Sequence, residues 1–354
     1  MTAPDVLIVG AGPAGAALGG LLAQAGQRVL LVEQARHPRP KPCGECLNPG
    51  ALAVVNRLGL PLEGALPLKG WRVSTGRRTC DLDFPGGLTA AAVDRARFDQ
   101  ALAEWAVAQG VRLEEGVRVS ELLRDSGGRV TGARAGRTPM KAGLTVGADG
   151  LRSVVARRLG LARPGRAAPK VAFTAHWEGI GGLTERGEIH IGRQAVCGIA
   201  PIGRDLANVV LVVPAATAKG LKQEAALARW PVLSDRFCGA RRVSPVLATG
   251  PFDHPVAAAQ APGALLVGDA AGYFDPFTGQ GLYRALRSAE LAAAAILRGE
   301  PYAPAGEFAA AVRRQRALDG LVRNPTAIGA GLALLTRWPA AGERLLGLIG
   351  DCHV

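Results

Sequence analysis

The 354-residue chain predicts an α/β fold: a Rossmann-like domain interrupted by a β-rich domain, with helices towards its C-terminal end. Three observations predict it. First, the apolar run Val6 to Val9 stops at a glycine cluster and leads into a helical stretch of small residues. A second apolar run, Arg28 to Glu33, follows. This is a β–α–β unit, the start of a doubly wound parallel sheet. Second, residues from about 165 to 250 alternate in strand fashion, as in VAFTAHWEGI, EIHIG and NVVLVVP. Third, an apolar strand pattern returns at Ala264 and runs into a long Ala/Leu helix, Gly281 to Leu297.

Composition narrows the class. Hydrophobic residues make up 48% and charged residues 20%, enough for a large core and too apolar for global disorder. No apolar run approaches the roughly 18 residues of a membrane span. The N-terminal MTAPDVLIVGAGPAG puts no basic segment ahead of its apolar stretch and does not read as a secretory signal. Six cysteines at irregular spacing make no disulfide framework, so the expected compartment is the cytoplasm. The net charge is +13, spread along the chain without a basic block interleaved with aromatics. That argues against nucleic acid and suits a dinucleotide phosphate, an acidic substrate or an anionic membrane surface.

In chain order, Asp5 to Gly10 reads as a buried strand, Pro13 to Gly26 as a helix and Arg28 to Glu33 as a second strand. The proline-broken ARHPRPKPCGECLNPG must be a loop, and Gly50 to Gly59 is helical. Trp71 to Phe84 alternates like a strand pair. Asp94 to Gly110 is a helix with Phe98, Leu102, Trp105 and Ala106 on one face. Strands are expected in Val111 to Leu123, at Val130 to Thr131 and over Leu144 to Ala148, and a helix over Lys219 to Trp230. The tail is helical and apolar. The dinucleotide domain is therefore assembled from 1–70, 92–164 and 251–320, the β-rich substrate domain from 71–91 and 165–250, and a C-terminal helical segment from 321–354.

Gly10-Ala11-Gly12-Pro13-Ala14-Gly15 follows a strand and opens a helix, and Glu33 ends the next strand. In that context Gly10 permits the tight turn, Gly12 lets a pyrophosphate approach the backbone, and Gly15 allows close helix–strand packing. The helix N-terminus attracts phosphate, and Glu33 accepts from ribose hydroxyls. Two later motifs say which dinucleotide. Gly147-Ala148-Asp149-Gly150-Leu151-Arg152-Ser153 follows a strand. So does Gly268-Asp269-Ala270-Ala271-Gly272, which leads through Pro276 and Gly279-Gln280-Gly281 into a helix. The Asp269 carboxylate at a strand's C-terminal end suits the hydroxyl row of a flavin's ribityl chain. The helix after Gly281 points positive charge at the ring edge.

Together GAGPAG with Glu33, GADGLRS and GDAAGYFDPFTGQG resemble the superfamily of class A flavoprotein monooxygenases and geranylgeranyl reductases. The resemblance covers about residues 5 to 295 and implies FAD and a fold of the p-hydroxybenzoate hydroxylase type. It implies that Gly10, Gly12, Pro13, Ala14, Gly15 and Glu33 form the adenosine diphosphate site. It assigns Asp149 and Gly150 to a motif serving FAD and pyridine nucleotide, and Gly268 and Asp269 to the ribityl site. Pro276, Gly279, Gln280 and Gly281 fall in the loop beside the flavin. Arg95, in VDRARFD, matches an arginine that approaches the FAD phosphates. KPCGECLNP resembles the reductase branch, whose counterpart loop lies close to the flavin. That makes Lys41, Cys43, Gly44 and Glu45 the catalytic-loop candidates. The sequence lacks the WxWxIP segment of halogenases and the aromatic-rich strand of polyprenyl reductases. Cys197 to Gly203 holds the place of the latter.

Cys43-Gly-Glu-Cys46 lacks a second CxxC or CxxH, so no metal site is expected, and it reads as a flavin-side loop rather than a redox disulfide. His176 reads as a core or cavity-wall residue, and the five histidines show no ligand spacing. The leading expectation is an NAD(P)H-dependent monooxygenase acting on an apolar or aromatic small molecule through a flavin hydroperoxide. The alternative is reduction of an alkene or isoprenoid by reduced FAD, with peripheral membrane contact. A non-catalytic flavin electron relay is third.

Overall fold

The computed structural model describes residues 3–352 except 61, 77, 229 and 231. Its nucleotide sheet has six strands in the order Gln260–Ala261, Ala264–Leu266, Leu144–Gly147, Val6–Val9, Val29–Glu33 and Arg112–Glu115. Every pairing is parallel except that of the first two strands. A parallel sheet is covered on both faces, and its central strands are therefore continuous apolar runs. In Val6–Val9 the alternation sends Val6 and Ile8 to one core and Leu7 and Val9 to the other. The helices Pro13–Gln24, Arg95–Ala108 and Gly281–Arg298 build the first core. The antiparallel strands Val119–Arg124, Val130–Ala135 and Thr138–Lys141 cover the opposite face, with the short helix Val154–Arg158.

The substrate sheet is assembled from distant segments. Strand Lys170–Glu178 pairs with Leu206–Pro214, which pairs with Val196–Pro201, then Arg186–Ile191, then Gly70–Thr75 and Arg78–Asp83. The hairpin expected over Trp71 to Phe84 thus extends the sheet made by residues beyond 165. Its junction with Arg186–Ile191 is parallel. The helix expected over Lys219 to Trp230 is shorter, Gln223–Ala228. Gln223 is buried there and donates through Nε2 to the Val209 carbonyl oxygen at 3.0 Å. Helix Arg95–Ala108 starts where Asp94 caps it, accepting from the backbone N–H groups of Ala96 and Arg97. The tail forms Ala305–Val322, Pro325–Arg337 and Pro339–Ile349, of which the last two pack against the strand Arg78–Asp83. Among the described residues no helix is long and apolar enough to cross a membrane.

Candidate active site

The separated motifs converge on one cavity of about 460 Å³. Its floor is the turn at Gly12, Pro13 and Ala14, its sides the Lys41–Cys46 loop and the segment from Asp269 to Gly281, and its roof the substrate sheet. The turn is built by steric necessity. Gly10 has φ 106°, and a Cβ there would lie 2.5 Å from the Ala148 carbonyl oxygen. A Cβ on Gly15 would lie 1.9 Å from the Gly10 carbonyl oxygen. Gly12 is different. A Cβ there would meet only Arg39, at 3.6 Å, so the space above it is open to a ligand.

Glu33 is buried at the end of its strand. Its carboxylate accepts from the N–H groups of Ala11 at 2.9 Å and Ala35 at 3.1 Å. Arg39 reaches both Glu33, at 3.4 Å, and Asp99, at 3.3 Å, and its buried Nε has no partner. Arg95, also buried, donates to both Asp99 oxygens at 2.8 and 3.0 Å. Burial works against its charge, and Asp99, with the neighbouring Cys43, more than offsets this, so its pKa is raised. Lys41 has no hydrogen bond or ion pair among the described residues. Burial and then the nearby Arg95 and Arg39 push its pKa down. The Asp269 carboxylate likewise accepts no hydrogen bond there. Burial raises its pKa, against the pull of Lys41 and Arg284. Two groups that seek a partner therefore line one cleft, an ammonium and a carboxylate, and the Arg39 guanidinium lies beside its floor at Gly12. They fit a ligand carrying both phosphates and hydroxyls.

Other predicted residues serve the frame. The Asp149 carboxylate is committed to helix Val154–Arg158, accepting from Ser153 Oγ at 2.6 Å and from the N–H groups of Val154 at 2.6 Å and Val155 at 3.2 Å. This motif lines the cavity with Ala148, Leu151 and Gly150, the last at φ 77° and beside Lys41 Nζ. Gln280 also turns away. Its Nε2 donates to the Asp351 carboxylate at 2.7 and 2.8 Å, and Asn48 Nδ2 donates to the same carboxylate at 3.0 Å. Burial pushes Asp351 up to about 6. Pro276, Gly279 and Gly281 remain on the cavity wall, while Gly268, at φ 59°, turns the chain against Ala14.

In the Lys41–Cys46 loop, the Cys43 carbonyl oxygen accepts from Asn208 Nδ2 at 2.8 Å and Thr174 Oγ1 at 3.3 Å, which docks the loop on the substrate sheet. Cys43 and Cys46 are separate free thiols. Cys46 lies in a short strand paired with Ala92, and burial, then Cys43, pushes it up to about 12, a thiol held protonated. Glu45 is buried, with Oε1 accepting from the Arg95 N–H at 3.2 Å and Oε2 lying 2.9 Å from His176 Nε2.

A family model described as FAD binding domain matches residues 3–181. The chain belongs to the FAD-binding domain family. It is an FAD-dependent oxidoreductase of the geranylgeranyl reductase-like and class A flavoprotein monooxygenase superfamily. Menaquinone reductase of Mycolicibacterium smegmatis is 30% identical over 333 residues, covering 84% of this chain and 77% of that one. Digeranylgeranylglycerophospholipid reductase of Methanothrix thermoacetophila is 31% identical over 309 residues, covering 81% of this chain and 76% of its own. The flavin-dependent brominase Bmp2 superposes with a TM-score of 0.85 over 99% of this chain and 94% of its own at 23% identity, a likeness of fold.

Arg39, Tyr273 and the His176 partner of Glu45 were not legible as site residues. Arg39 sits in a loop with Arg36 close by, and nothing in the order of residues separates the two. Tyr273 lines the cavity, its phenol held protonated by burial and by the carboxylates of Asp269 and Asp275.

Proposed function

We propose that this FAD enzyme reduces carbon–carbon double bonds in an elongated apolar molecule of isoprenoid type, with NAD(P)H as the source of electrons. The observation that carries this reading is the course of the cavity. It starts beside Asp269 and Cys43 and runs under Thr174, Gly198 and Val212 of the substrate sheet. It ends at the exposed turn of Arg193 and Gln194. A mostly apolar cavity that reaches an exposed turn suits a chain-like substrate threaded from outside. The strand Val196–Pro201, where polyprenyl reductases carry aromatics, contributes Val196, Gly198, Ile199 and Ala200 here, with no aromatic side chain. The two curated relatives are themselves named as reductases, which supports the same reading.

Gly12, Lys41, Arg39, Arg95 and Asp269 would hold FAD, and bound FAD supplies two-electron exchange between reductant and substrate. The protein's part is placement. Thr174 and Asn208 pin the Cys43 loop under the sheet, which closes the inner end of the channel to water. Hydroxylation, ranked first on sequence, asks for a chamber sealed around a compact substrate, and the open mouth favours reduction instead.

The mouth also borders Val322 and Arg323. The next residue back, Leu321, is 44% exposed, and farther along the tail Trp338 is 61% exposed. These apolar side chains on a basic protein support a cytoplasmic enzyme that takes its substrate from an anionic membrane surface. The test compares NADPH consumption with geranylgeraniol in air and under argon. Equal turnover in both is expected. Substrate-stimulated consumption that stops without dioxygen contradicts the proposal and favours hydroxylation.

A further inference from the structure

Ala172 and Thr174 on strand Lys170–Glu178 line the cavity. His176, two residues on, faces the same side and falls just beyond the lining. Its Nε2 lies 2.9 Å from Glu45 Oε2, its side chain is 25% exposed, and Nδ1 makes no hydrogen bond among the described residues. Glu45 does line the cavity, and its side chain is only 5% exposed. Its backbone is held at φ 55°, a conformation that non-glycine residues rarely adopt. The Glu45 carbonyl oxygen accepts from the Val93 N–H at 3.0 Å, and Oε1 accepts from the Arg95 N–H, so the unusual backbone is fixed from two sides. One carboxylate therefore bridges the cavity and a histidine that solvent can reach.

We propose that His176 and Glu45 form a proton path from solvent into the inner end of the cavity, supplying the proton that each saturated double bond consumes. The inference rests on the reductase reading. Saturating one double bond takes up an electron pair and two hydrogens. NAD(P)H contributes the pair with one hydrogen, and solvent contributes the other as a proton. Along the path the imidazolium N–H breaks as the Glu45 O–H forms. That O–H breaks as the new C–H bond forms, and a turn of the imidazole ring then presents its bare nitrogen to water, which reprotonates it and leaves an N–H facing Glu45 again. Both groups lie within hydrogen-bond reach of each other, as proton transfer requires.

The charged surroundings favour a loaded imidazole. The hydrogen bond that His176 donates to Glu45 raises its pKa against the opposing effect of burial, and Asp94 at the helix cap adds to the rise. Ser244 Oγ accepts from the His176 backbone N–H at 2.8 Å, and Asn208 stands opposite in the sheet register. Arg95 beside Glu45 is neutralised by Asp99, and Cys43 Sγ accepts from the Glu45 N–H at 3.4 Å.

The test uses FAD-loaded full-length protein with geranylgeraniol. His176→Gln keeps a donor towards Glu45 and carries no titratable proton. It is expected to retain FAD and KM while kcat falls at least tenfold, a conservative share of the about 10²–10⁴ typical of acid–base catalysis. The decline of wild-type kcat as pH rises through the His176 titration should vanish in this variant, and imidazole should partly rescue His176→Gly. Independently of turnover, Glu45→Gln should lower the His176 titration midpoint seen by NMR in the resting protein. That titration decides the matter if His176→Gln fails to load FAD. Wild-type kcat and pH profile in His176→Gln, or an unmoved midpoint in Glu45→Gln, would overturn the path alone. A wild type that leaves geranylgeraniol unreduced overturns the path and the reductase reading together.

Discussion

Two histidine–glutamate pairs stand on opposite faces of the substrate sheet, and they are built differently. On the cavity side, His176 meets Glu45 from a distant loop, and its other ring nitrogen is open. On the outer side, His190 Nε2 lies 2.8 Å from Glu188 Oε2, and its Nδ1 lies 2.6 Å from Ser74 Oγ. Arg236 completes that set, with Nη2 donating to Glu188 Oε1 at 2.9 Å. Every member of the outer set has a partner, and Ser74, Glu188 and His190 are all buried. A network whose members satisfy one another in this way fixes strand register. The cavity below the inner face instead holds Lys41 and Asp269 without hydrogen-bond partners among the described residues. The difference teaches that ionisable groups packed most densely serve the frame, while those facing the cavity are left for a ligand.

The comparison breaks most visibly at Glu188. Glu188→Ala leaves the Arg236 guanidinium and the buried His190 without their anion, and should lower unfolding stability by about 3–5 kcal/mol in urea titrations. Asp269→Ala should do the reverse. Urea should unfold the apo protein at the wild-type midpoint, while FAD affinity, followed by flavin fluorescence, drops at least tenfold, or about 1.4 kcal/mol. Wild-type FAD affinity in that variant would remove Asp269 from the site.

A smaller effect is expected at Gly198, where an added Cβ meets nothing closer than 3.9 Å and the side chain would enter the channel. Gly198→Leu should raise KM for geranylgeraniol roughly fivefold, about 1 kcal/mol, and leave KM for a five-carbon prenyl alcohol unchanged. An equal rise for both would mean that the channel does not hold the long chain. Ser74→Ala removes one hydrogen bond from the closed network and should cost about 1 kcal/mol of stability.

The last prediction concerns pH. The folded pKa of His176 is raised above its ordinary 6.5. Its stabilising contribution is therefore complete below 6.5 and lost as pH rises through the folded value. His176→Gln should flatten the stability profile in that window, measured by urea midpoints across pH.

Local signals made much of this legible. The strand–glycine–helix start, the Asp94 cap and the hairpin after Gly70 are set by residues within a few positions of each other, and they read directly from order and period. Gly10 and Gly15 of the first motif announced themselves because only glycine tolerates such close backbone approaches. Side-chain direction did not read so well. Asp149 and Gln280 sit in the matching motifs, yet one caps a short helix and the other anchors Asp351, 71 residues away in sequence. Glu45 and His176 lie 131 positions apart, and their meeting depends on how the Cys43 loop docks on Asn208. No periodicity encodes that distance. Arg39 was hidden for a similar reason, since its role comes from facing Glu33 and Asp99 at once.

The most direct test of the central claim is the mass of geranylgeraniol recovered after incubation with the FAD-loaded enzyme and NADPH under argon. The account predicts a gain of two hydrogens for each double bond reduced, with no oxygen incorporated. An unchanged mass under argon, with an added oxygen atom appearing only in air, would contradict it.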